Sequence, residues 1–225
     1  MHRENNRFEG VRLLIFDLDG TLIDSEADLA LSVNATREQM GMGPLSRDVI
    51  ASYVGRGVPT LVRRALGAGI SEAALEQAVA FFLDYYRAHM LDHTDVYPGV
   101  REALEALNGH RLAVLTNKPV NFSREILEGL KIASRFAFIY GGNSFERKKP
   151  DPVGVFRLMR DTGVGAHETM IIGDSETDVE TGRNAGTWTC GVTYGIGSRT
   201  LARARPDLTL DNLEELPALL DGHGE

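Results

Sequence analysis

The sequence has few of the features that mark secreted, membrane-bound or nucleic-acid-binding proteins. It contains one cysteine, Cys190, which excludes an internal disulfide. No uninterrupted apolar run approaches the ~20 residues that span a bilayer, and the opening residues 1–10 contain no apolar signal region. Acidic residues outnumber basic ones by 32 to 24, for a net charge of -8, which argues against a basic face for nucleic acid. We therefore expect a cytoplasmic protein with no membrane or nucleic-acid partner.

What the chain does contain is an alternation of strands and helices that is typical of α/β proteins. Its 225 residues, 43% hydrophobic and 25% charged, suit one large domain or one domain with a small insert. Short apolar runs end in polar or glycine-rich turns and are separated by helical patterns, which predicts βαβ units and a parallel sheet. The predicted strands are VRLLIF (11–16), RLAVLT (111–116), FAFIYG (136–141), TMIIG (169–173), TWTCGVTY (187–194) and DLTL (207–210).

One region breaks this alternation. From residue 25 to residue 93 the sequence has several helical patterns and no convincing strand, which predicts a small helical cap inserted into the α/β core. The core would then consist of residues 1–24 and 94–225, and the cap would hinge at Asp24-Ser25 and at residues 92–97. Four aromatic residues at helical spacing are expected to build the core of the cap or its contact with the rest of the chain: Phe81, Phe82, Tyr85 and Tyr86.

Two acidic residues stand directly against the first apolar run. In the stretch RLLIFDLDGTLIDS (12–25), Asp17 and Asp19 fall on the same side of an extended chain, because side chains alternate along a strand. Two carboxylates about 4 Å apart repel by roughly 4 kcal/mol at an effective dielectric constant near 20. The pair therefore requires a cation, a shared proton or full solvation, and taken alone it could simply solvate a strand end.

Polar residues at three further strand ends favour the cation. They follow the second, third and fourth predicted strands: Thr116 and Asn117, then Lys148 and Lys149, then Asp174 and Asp178. Ligands of open α/β sheets bind beyond the carboxyl ends of the strands, where these acids, hydroxyl, amide and ammonium groups would meet. Such a set of groups suits a phosphate that is bound together with a hard divalent cation.

In the order of these residues, the chain resembles the haloacid dehalogenase superfamily of phosphohydrolases, in the branch of phosphoglycolate phosphatase and β-phosphoglucomutase. The matching segments extend over essentially the whole chain: DLDGTL (17–22), Thr116-Asn117, Lys149-Pro150 and GDSETD (173–178). The resemblance implies a Rossmann-like α/β core with a helical cap, Mg²⁺ as cofactor and a small phosphorylated metabolite as substrate. It selects Lys149, which directly precedes proline, and leaves Lys148 as a solvated surface charge.

The resemblance also implies the roles of the acids. Asp17 would be the nucleophile that forms an aspartyl-phosphate, and Asp19 would serve first as the acid and then as the base. Mg²⁺ would be bound by Asp17, Asp174 and a backbone carbonyl near Asp19, with Asp178 completing or orienting the shell.

The remaining family positions are expected to contact the phosphoryl group. Lys149 would add positive charge opposite the metal, while the Thr116 hydroxyl and the Asn117 amide would donate to phosphoryl oxygens. Gly20 and Thr21 are placed with the substrate-binding residues, because their turn would let the preceding acid swing over the site.

The cap is expected to choose the leaving group. In Gly55-Arg56-Gly57 the backbone freedom could let Arg56 pair with a carboxylate or second phosphate of the substrate. The alternative is a helix-capping loop with a solvent-facing arginine. The motif resembles that of phosphoglycolate phosphatases, so 2-phosphoglycolate is the leading substrate. Residues 24–93 contain no lysine, which argues against the activity of the phosphonate-cleaving relatives, whose cap lysine forms an imine.

Three other functions stay open at this stage. A sugar-phosphate mutase of the β-phosphoglucomutase type keeps the same acid pair, and pyrophosphatases of this branch use similar cap loops. A non-catalytic binding module on the same scaffold is disfavoured, because the acids at 17, 19, 174 and 178 are all present. The sequence is compatible with a monomer or a homodimer.

Overall fold

A computed structural model describes residues 7–220 of the chain. The prediction that residues 1–10 contain no signal region falls partly outside the described residues, because these begin at residue 7. Within 7–220 there are eight strands: β1 (Leu13–Phe16), β2 (Ile23–Asp24), β3 (Asp95–Val96), β4 (Arg111–Leu115), β5 (Phe138–Tyr140), β6 (Thr169–Gly173), β7 (Trp188–Val192) and β8 (Leu208–Leu210). The same range has ten α-helices: α1 (Glu26–Gln39), α2 (Arg47–Ala51), α3 (Val58–Leu66), α4 (Glu72–His89), α5 (Val100–Ala106), α6 (Val120–Gly129), α7 (Val153–Thr162), α8 (Glu176–Ala185), α9 (Leu201–Ala204) and α10 (Glu215–Leu220). None of these helices has the length and hydrophobicity that crossing a membrane requires.

Six of the strands form one parallel sheet, as the sequence pattern predicts. The order across the sheet is β5-β4-β1-β6-β7-β8, so the first strand lies in the middle. Ile15 of β1 pairs in register with Ala113 of β4 on one side and with Ile171 of β6 on the other. All six predicted strands are present, including DLTL as the edge strand β8. The predicted α/β fold class is confirmed.

The central strand β1 shows why its sequence is apolar throughout. Leu14 and Phe16 pack into one hydrophobic core, while Leu13 and Ile15 pack into a second core on the opposite face, and all four are at most 1% exposed. A parallel strand that is covered on both faces has no polar alternation. Asp17 is therefore the first polar residue after β1, and it lies at the carboxyl end of that strand.

Between β2 and β3 the chain leaves the sheet and forms α1 to α4, which we call the helical insert (residues 26–89). Where it departs and returns, β2 and β3 pair in antiparallel fashion. On the return, the backbone N–H groups of His93 and Thr94 donate to Asp28 Oδ2 of α1 at 3.0 and 2.9 Å. The insert lies where the sequence predicts the cap. Its division from the core as a separate domain, at residues 25 and 93, stays a prediction.

Candidate active site

Residues from the four predicted strand ends meet at one edge of the sheet. Asp17 follows β1, Thr116 follows β4 and Asp174 follows β6, and these three strands are neighbours. Lys149 comes from the loop between β5 and α7. Thr116, Lys149 and Asp174 are buried. The polar groups that the sequence places at strand ends therefore share one secluded site.

Three carboxylates form the centre of this site. Asp17, Asp174 and Asp178, which we call the acid group, each offer an oxygen, and these oxygens lie within 4.8 Å of one another. Lys149 Nζ lies 2.9 Å from Asp17 Oδ1 and 2.6 Å from Asp178 Oδ1. Two of the three acids thus contact the same ammonium group.

Burial and mutual repulsion make this arrangement electrostatically unfavourable. Burial raises the pKa of Asp17 to about 6, while Lys149 opposes that shift and Asp178 adds to it. Burial, followed by the charges of Asp178 and Asp17, raises the pKa of Asp174 well above its usual value. Burial by itself lowers the pKa of Lys149, but Asp17 and Asp178 outweigh it and raise that pKa. The lysine therefore stays charged, and a further positive charge would relieve the repulsion among the acids.

The donor set of the acid group fits a hard divalent cation. Its members offer only oxygen ligands, which suit Mg²⁺, and contain neither histidine nor cysteine. Three carboxylates also carry more negative charge than one lysine balances. Asp17, Asp174 and Asp178 could therefore hold the ion. The carboxylate of Asp19 lies outside the group, which leaves the predicted backbone carbonyl as the route by which that segment would bind a metal.

Two glycines allow the chain to pack against these acids. Gly20 has a φ of +83°, and a Cβ at this position would overlap Asp174 Oδ2. A Cβ on Gly173 would overlap Asp178 Cγ. A larger residue at either position would displace a carboxylate, so the glycines of DLDGTL and GDSETD are required by the geometry of the acid group.

Asp178 uses its two oxygens for two different contacts. Oδ1 accepts from Lys149 Nζ, while Oδ2 accepts from the backbone N–H of Ser175 at 3.1 Å and from its hydroxyl at 2.6 Å. Ser175 directly precedes α8, and Asp178 lies in the first turn of that helix, where a carboxylate is favoured by the helix dipole. The start of α8 therefore fixes the acid that orients Lys149.

Asp19 lies two residues from Asp17 but has different partners. Its Oδ1 accepts hydrogen bonds from Ser25 Oγ at 2.6 Å and from Lys118 Nζ at 2.9 Å. The same ammonium donates to Tyr86 Oη of α4 at 2.7 Å. Burial opposes the charge of Lys118, but Asp19 and then Tyr86 outweigh it and raise the pKa of the lysine. Asp19 therefore has a charged lysine of its own, which also contacts the helical insert.

The side chain of Asn117 is occupied by backbone groups. Its Nδ2 donates to the carbonyls of Gly55 at 2.9 Å and of Lys149 at 3.1 Å, and its Oδ1 accepts from the Lys149 N–H at 3.0 Å. Asn117 therefore positions the Lys149 loop and contacts the insert. Its predicted hydrogen bond to a phosphoryl oxygen would require one of the two Nδ2 contacts to open, and that role stays a prediction.

Within residues 7–220, two predicted substrate-binding side chains make no hydrogen bond or ion pair with the acid group. Thr21 is fully buried, and its Oγ1 has no hydrogen-bond partner in that range. Arg56 has a 58% exposed side chain, and its guanidinium lies 3.8 Å from Glu176 Oε1 of α8. This position matches the solvent-facing alternative for Arg56. A contact with substrate would require the guanidinium to leave Glu176.

A small cavity lies between the strand ends and the insert. Its volume is about 50 Å³, and it is lined by Asp17, Asp19 and Lys118 from the strand ends and by apolar side chains of the insert, Leu29 and Val58 among them. The cavity therefore has polar groups on one side and apolar groups on the other.

Comparisons with known proteins place this site in a family. The family described as haloacid dehalogenase-like hydrolase matches residues 14–192. The chain belongs to this family. It is 40% identical to a phosphoglycolate phosphatase of Pseudomonas fluorescens, over 95% of this chain and 82% of that protein. It is 37% identical to a phosphoglycolate phosphatase of Vibrio parahaemolyticus, over 92% of this chain and 95% of that protein.

A solved structure of similar fold agrees with this assignment. A predicted phosphoglycolate phosphatase from Haemophilus somnus matches with a TM-score of 0.87 at 31% identity, over 91% of this chain and 96% of that one. The resemblance inferred from the four strand-end segments is confirmed, and with it the prediction that the chain is a hydrolase of this superfamily.

Two contacts of this haloacid dehalogenase-like site are absent from the sequence-based prediction. Lys118 directly follows Thr116 and Asn117, so its place between an apolar strand and Pro119 was a usable signal, but Lys149 already supplied the one lysine of the family pattern. Tyr86 was predicted only as an aromatic residue of the cap core or interface. Its hydroxyl partner lies 32 residues away in the chain, beyond the reach of any local pattern. Lys148 is exposed, in agreement with its interpretation as a surface charge.

Proposed function

We propose that the protein is a Mg²⁺-dependent phosphatase of small anionic phosphate monoesters, with 2-phosphoglycolate as the leading substrate and an aspartyl-phosphate as the intermediate. The observation that carries this proposal is the division of the strand-end acids. Asp17 lies in the acid group beside Lys149, whereas Asp19 lies outside it and is held by a different lysine. This division supports attack by Asp17 beside a cation site and proton transfer by Asp19.

The first chemical step is phosphoryl transfer to the enzyme. A carboxylate oxygen of Asp17 forms a bond to phosphorus, and the bond between phosphorus and the ester oxygen breaks, with its electron pair moving to that oxygen. The Asp19 carboxyl gives its proton to the departing oxygen, so an alcohol leaves and Asp19 becomes a carboxylate.

The second step releases phosphate. A water oxygen attacks the phosphorus of the aspartyl-phosphate, and Asp19 takes the proton that the water loses. The bond between phosphorus and the Asp17 oxygen breaks, which regenerates the Asp17 carboxylate and frees inorganic phosphate. The enzyme therefore returns to its starting protonation state after one molecule of water is consumed.

The other site residues manage charge during both steps. Lys149, held between Asp17 and Asp178, offers positive charge to the phosphoryl oxygens. Thr116 stands at the adjacent strand end, where its hydroxyl can donate to the same oxygens. Mg²⁺, when bound by the acid group, would neutralise charge on the phosphoryl group and so reduce its repulsion of an anionic nucleophile.

The choice of 2-phosphoglycolate is supported by similarity to relatives of that activity. Two relatives at 40% and 37% identity are phosphoglycolate phosphatases. Asp17, Asp19, Asp174 and Lys118 line the cavity, so an anionic substrate would need Mg²⁺ bound by the acid group to offset the charge of the acids.

The test is a screen of the purified protein for phosphate release from 2-phosphoglycolate, acetyl phosphate, sugar phosphates, nucleotides and pyrophosphate. Activity should require Mg²⁺ and disappear with a chelator, and kcat/KM should be highest for the small anionic esters. Conversion of glucose 1-phosphate into glucose 6-phosphate without free phosphate would indicate the mutase instead. A preference for pyrophosphate would indicate the pyrophosphatase, and a folded protein that is inert toward the whole panel would refute catalysis.

A further inference from the structure

We propose that Tyr86 and Lys118 form a positioning chain through which the helical insert orients Asp19 for proton transfer. The inference rests on the proposed function, in which Asp19 is the acid and base. It assigns a role to a tyrosine of the insert and to a lysine that lies outside the family segments matched in the sequence.

The chain is formed by short contacts in a buried environment. Lys118 Nζ donates to Asp19 Oδ1 at 2.9 Å, to Asp19 Oδ2 at 3.2 Å and to Tyr86 Oη at 2.7 Å. An ammonium group has three N–H donors, so these contacts account for all of them. The side chains of Lys118 and Asp19 are 4% and 13% exposed, and Tyr86 is 2% exposed. With so little solvent nearby, loss of one partner is not replaced by bulk water.

The position of the tyrosine hydroxyl depends on how the insert packs on the core. The ring of Tyr86 stacks on Phe82 of its own helix at a centroid distance of 5.7 Å, and it contacts Phe122 of α6 at the same distance. Phe122 belongs to the core side of the interface. Movement of α4 away from α6 would therefore withdraw the hydroxyl from Lys118.

A second contact connects Asp19 with the other end of the insert. Ser25, which donates to Asp19 at 2.6 Å, directly precedes α1, while Tyr86 lies in α4. The residue before the first helix thus contacts Asp19, and the last helix contacts the lysine that binds Asp19. By contrast, Lys118 has no contact with the acid group among its hydrogen bonds in residues 7–220. The insert therefore contacts the direct partner of Asp19, whereas its link to the nucleophile is longer and passes through Asn117 to the Lys149 loop.

The test uses two small substrates whose leaving groups differ in basicity. An alkyl phosphate such as 2-phosphoglycolate expels an alkoxide, which needs a proton from Asp19. Acetyl phosphate expels acetate, a much weaker base that leaves without a proton. The parameter kcat/KM is compared because it reports the steps up to formation of the aspartyl-phosphate.

Tyr86→Phe removes only the hydroxyl and keeps the packed ring. It should lower kcat/KM for the alkyl phosphate by about 10- to 100-fold and for acetyl phosphate by less than about threefold. Tyr85→Phe removes the same group from the neighbouring tyrosine, whose ring contacts Phe81 and His89 instead, and should change neither value. In an Asp19→Asn background, Tyr86→Phe should have no further effect, because both changes act on one proton transfer.

Each other outcome overturns the inference in a recognisable way. Equal losses for the two substrates would show a general defect in packing of the insert, and full activity of Tyr86→Phe would show that the hydroxyl does nothing. An additional loss in the Asp19→Asn background would show that Tyr86 acts by another route. A wild-type protein that is inert toward both esters with Mg²⁺ would instead refute the proposed function, and the inference would fall with it.

Discussion

Asp17 and Asp19 leave the same strand end, and each is held by a lysine whose side chain is 4% exposed, yet the two environments are built differently. Around Asp17 the partners come from outside the insert: Lys149 and the backbone N–H of Leu18. Around Asp19 the partners lead into the insert, through Ser25 on one side and through Lys118 and Tyr86 on the other.

This difference indicates how one fold can separate attack from proton transfer. In the proposed mechanism Asp17 needs a fixed position beside a cation, and the ends of neighbouring parallel strands would supply that rigidity. The proton-transfer group has to act only when bulk water is excluded, which is the condition that a closed insert provides. Contacts between Asp19 and the insert would couple proton transfer to closure of the insert.

The largest effect is expected from the acid on the core side. Asp17→Asn removes the nucleophile and should lower turnover of every ester by about 10⁴-fold or more. No phosphoenzyme should form when the variant is mixed with excess acetyl phosphate and quenched in acid, as measured by mass spectrometry. The folded state should persist, because the change removes a charge that burial disfavours.

The matched substitution at Asp19 tests whether the two acids have different roles. Asp19→Asn should still form the phosphoenzyme from acetyl phosphate, since that step needs no proton from the enzyme. If Asp17→Asn retains turnover, or if Asp19→Asn abolishes phosphoenzyme formation from acetyl phosphate, the division of roles between the two acids is wrong.

The two lysines offer the next largest contrast. Lys149→Met leaves the acid group without its cation, so it should lower the free energy of unfolding of the metal-free protein by about 3–5 kcal/mol. It should also lower kcat/KM for alkyl phosphates and acetyl phosphate alike, by about 10²- to 10³-fold. Thermal denaturation with and without Mg²⁺ and steady-state kinetics measure the two effects.

Lys118→Met is the matched control for that change. Its loss of kcat/KM should be larger for the alkyl phosphate than for acetyl phosphate, because Lys118 acts on Asp19. Mg²⁺ should recover part of the stability lost in Lys149→Met and none of that lost in Lys118→Met. If Lys149→Met and Lys118→Met depended on the substrate in the same way, the proposed difference between the two lysines would be wrong.

The strand-end residues were predictable because the local sequence determines their position. Asp17, Thr116 and Asp174 each directly follow an apolar strand, and parallel strands bring their carboxyl ends together. Because β4, β1 and β6 are neighbours in the sheet, the residues that follow them lie beside one another. The sequence assigned Gly20 to a turn beside the acids, but it did not predict the close approach of Gly20 to Asp174.

The contacts between insert and core were not predictable, because each joins residues that are far apart in sequence. Asn117 was expected to contact substrate, but its amide is taken by Gly55, 62 residues away, and by Lys149, 32 residues away. Strands β2 and β3 have two residues each, which is too short for any periodic pattern. A residue type and a strand end suffice to locate a side chain, but only tertiary packing decides its partner.

The dependence of stability on pH should distinguish the acid group from ordinary paired acids. Because the pKa of Asp17 is raised from 3.8 to about 6 in the folded protein, folding favours its protonated form. The folded state therefore binds more protons than the unfolded state between these values, and the contribution of Asp17 to the free energy of unfolding falls as pH rises through them. Relative to Asp17→Asn, the metal-free wild type should lose on the order of 2 kcal/mol across this window.

Chemical denaturation between pH 4 and pH 7 measures this difference. Saturating Mg²⁺ should abolish or reverse the slope, because a bound cation favours the ionised carboxylate. A wild type that gains stability relative to the variant as pH rises without metal would show that Lys149 outweighs burial at Asp17.

The smallest effect is expected where the insert is tied to its return linker. Asp28, fully buried in α1, accepts hydrogen bonds from the backbone N–H groups of His93 and Thr94 and from the Thr94 hydroxyl at 2.7 Å. Burial opposes the charged form, but these bonds outweigh it and hold the pKa of Asp28 below its usual value. Asp28→Asn should lower the free energy of unfolding by about 1–2 kcal/mol at neutral pH. The difference from wild type should shrink as pH falls below the unfolded pKa of the acid, because a lowered folded pKa stabilises only above it.

The same variant tests whether the linker affects Asp19 more than Asp17. Since α1 begins just after Ser25, loosening it should reduce kcat/KM for the alkyl phosphate by a few fold and leave acetyl phosphate unchanged. Asp95→Asn replaces a 75% exposed acid of the same linker and should shift the free energy of unfolding by less than about 0.5 kcal/mol. Equal changes for the two substrates would show that Asp28 affects the whole site. The selective influence of the insert on Asp19 would then be limited to the contact through Lys118.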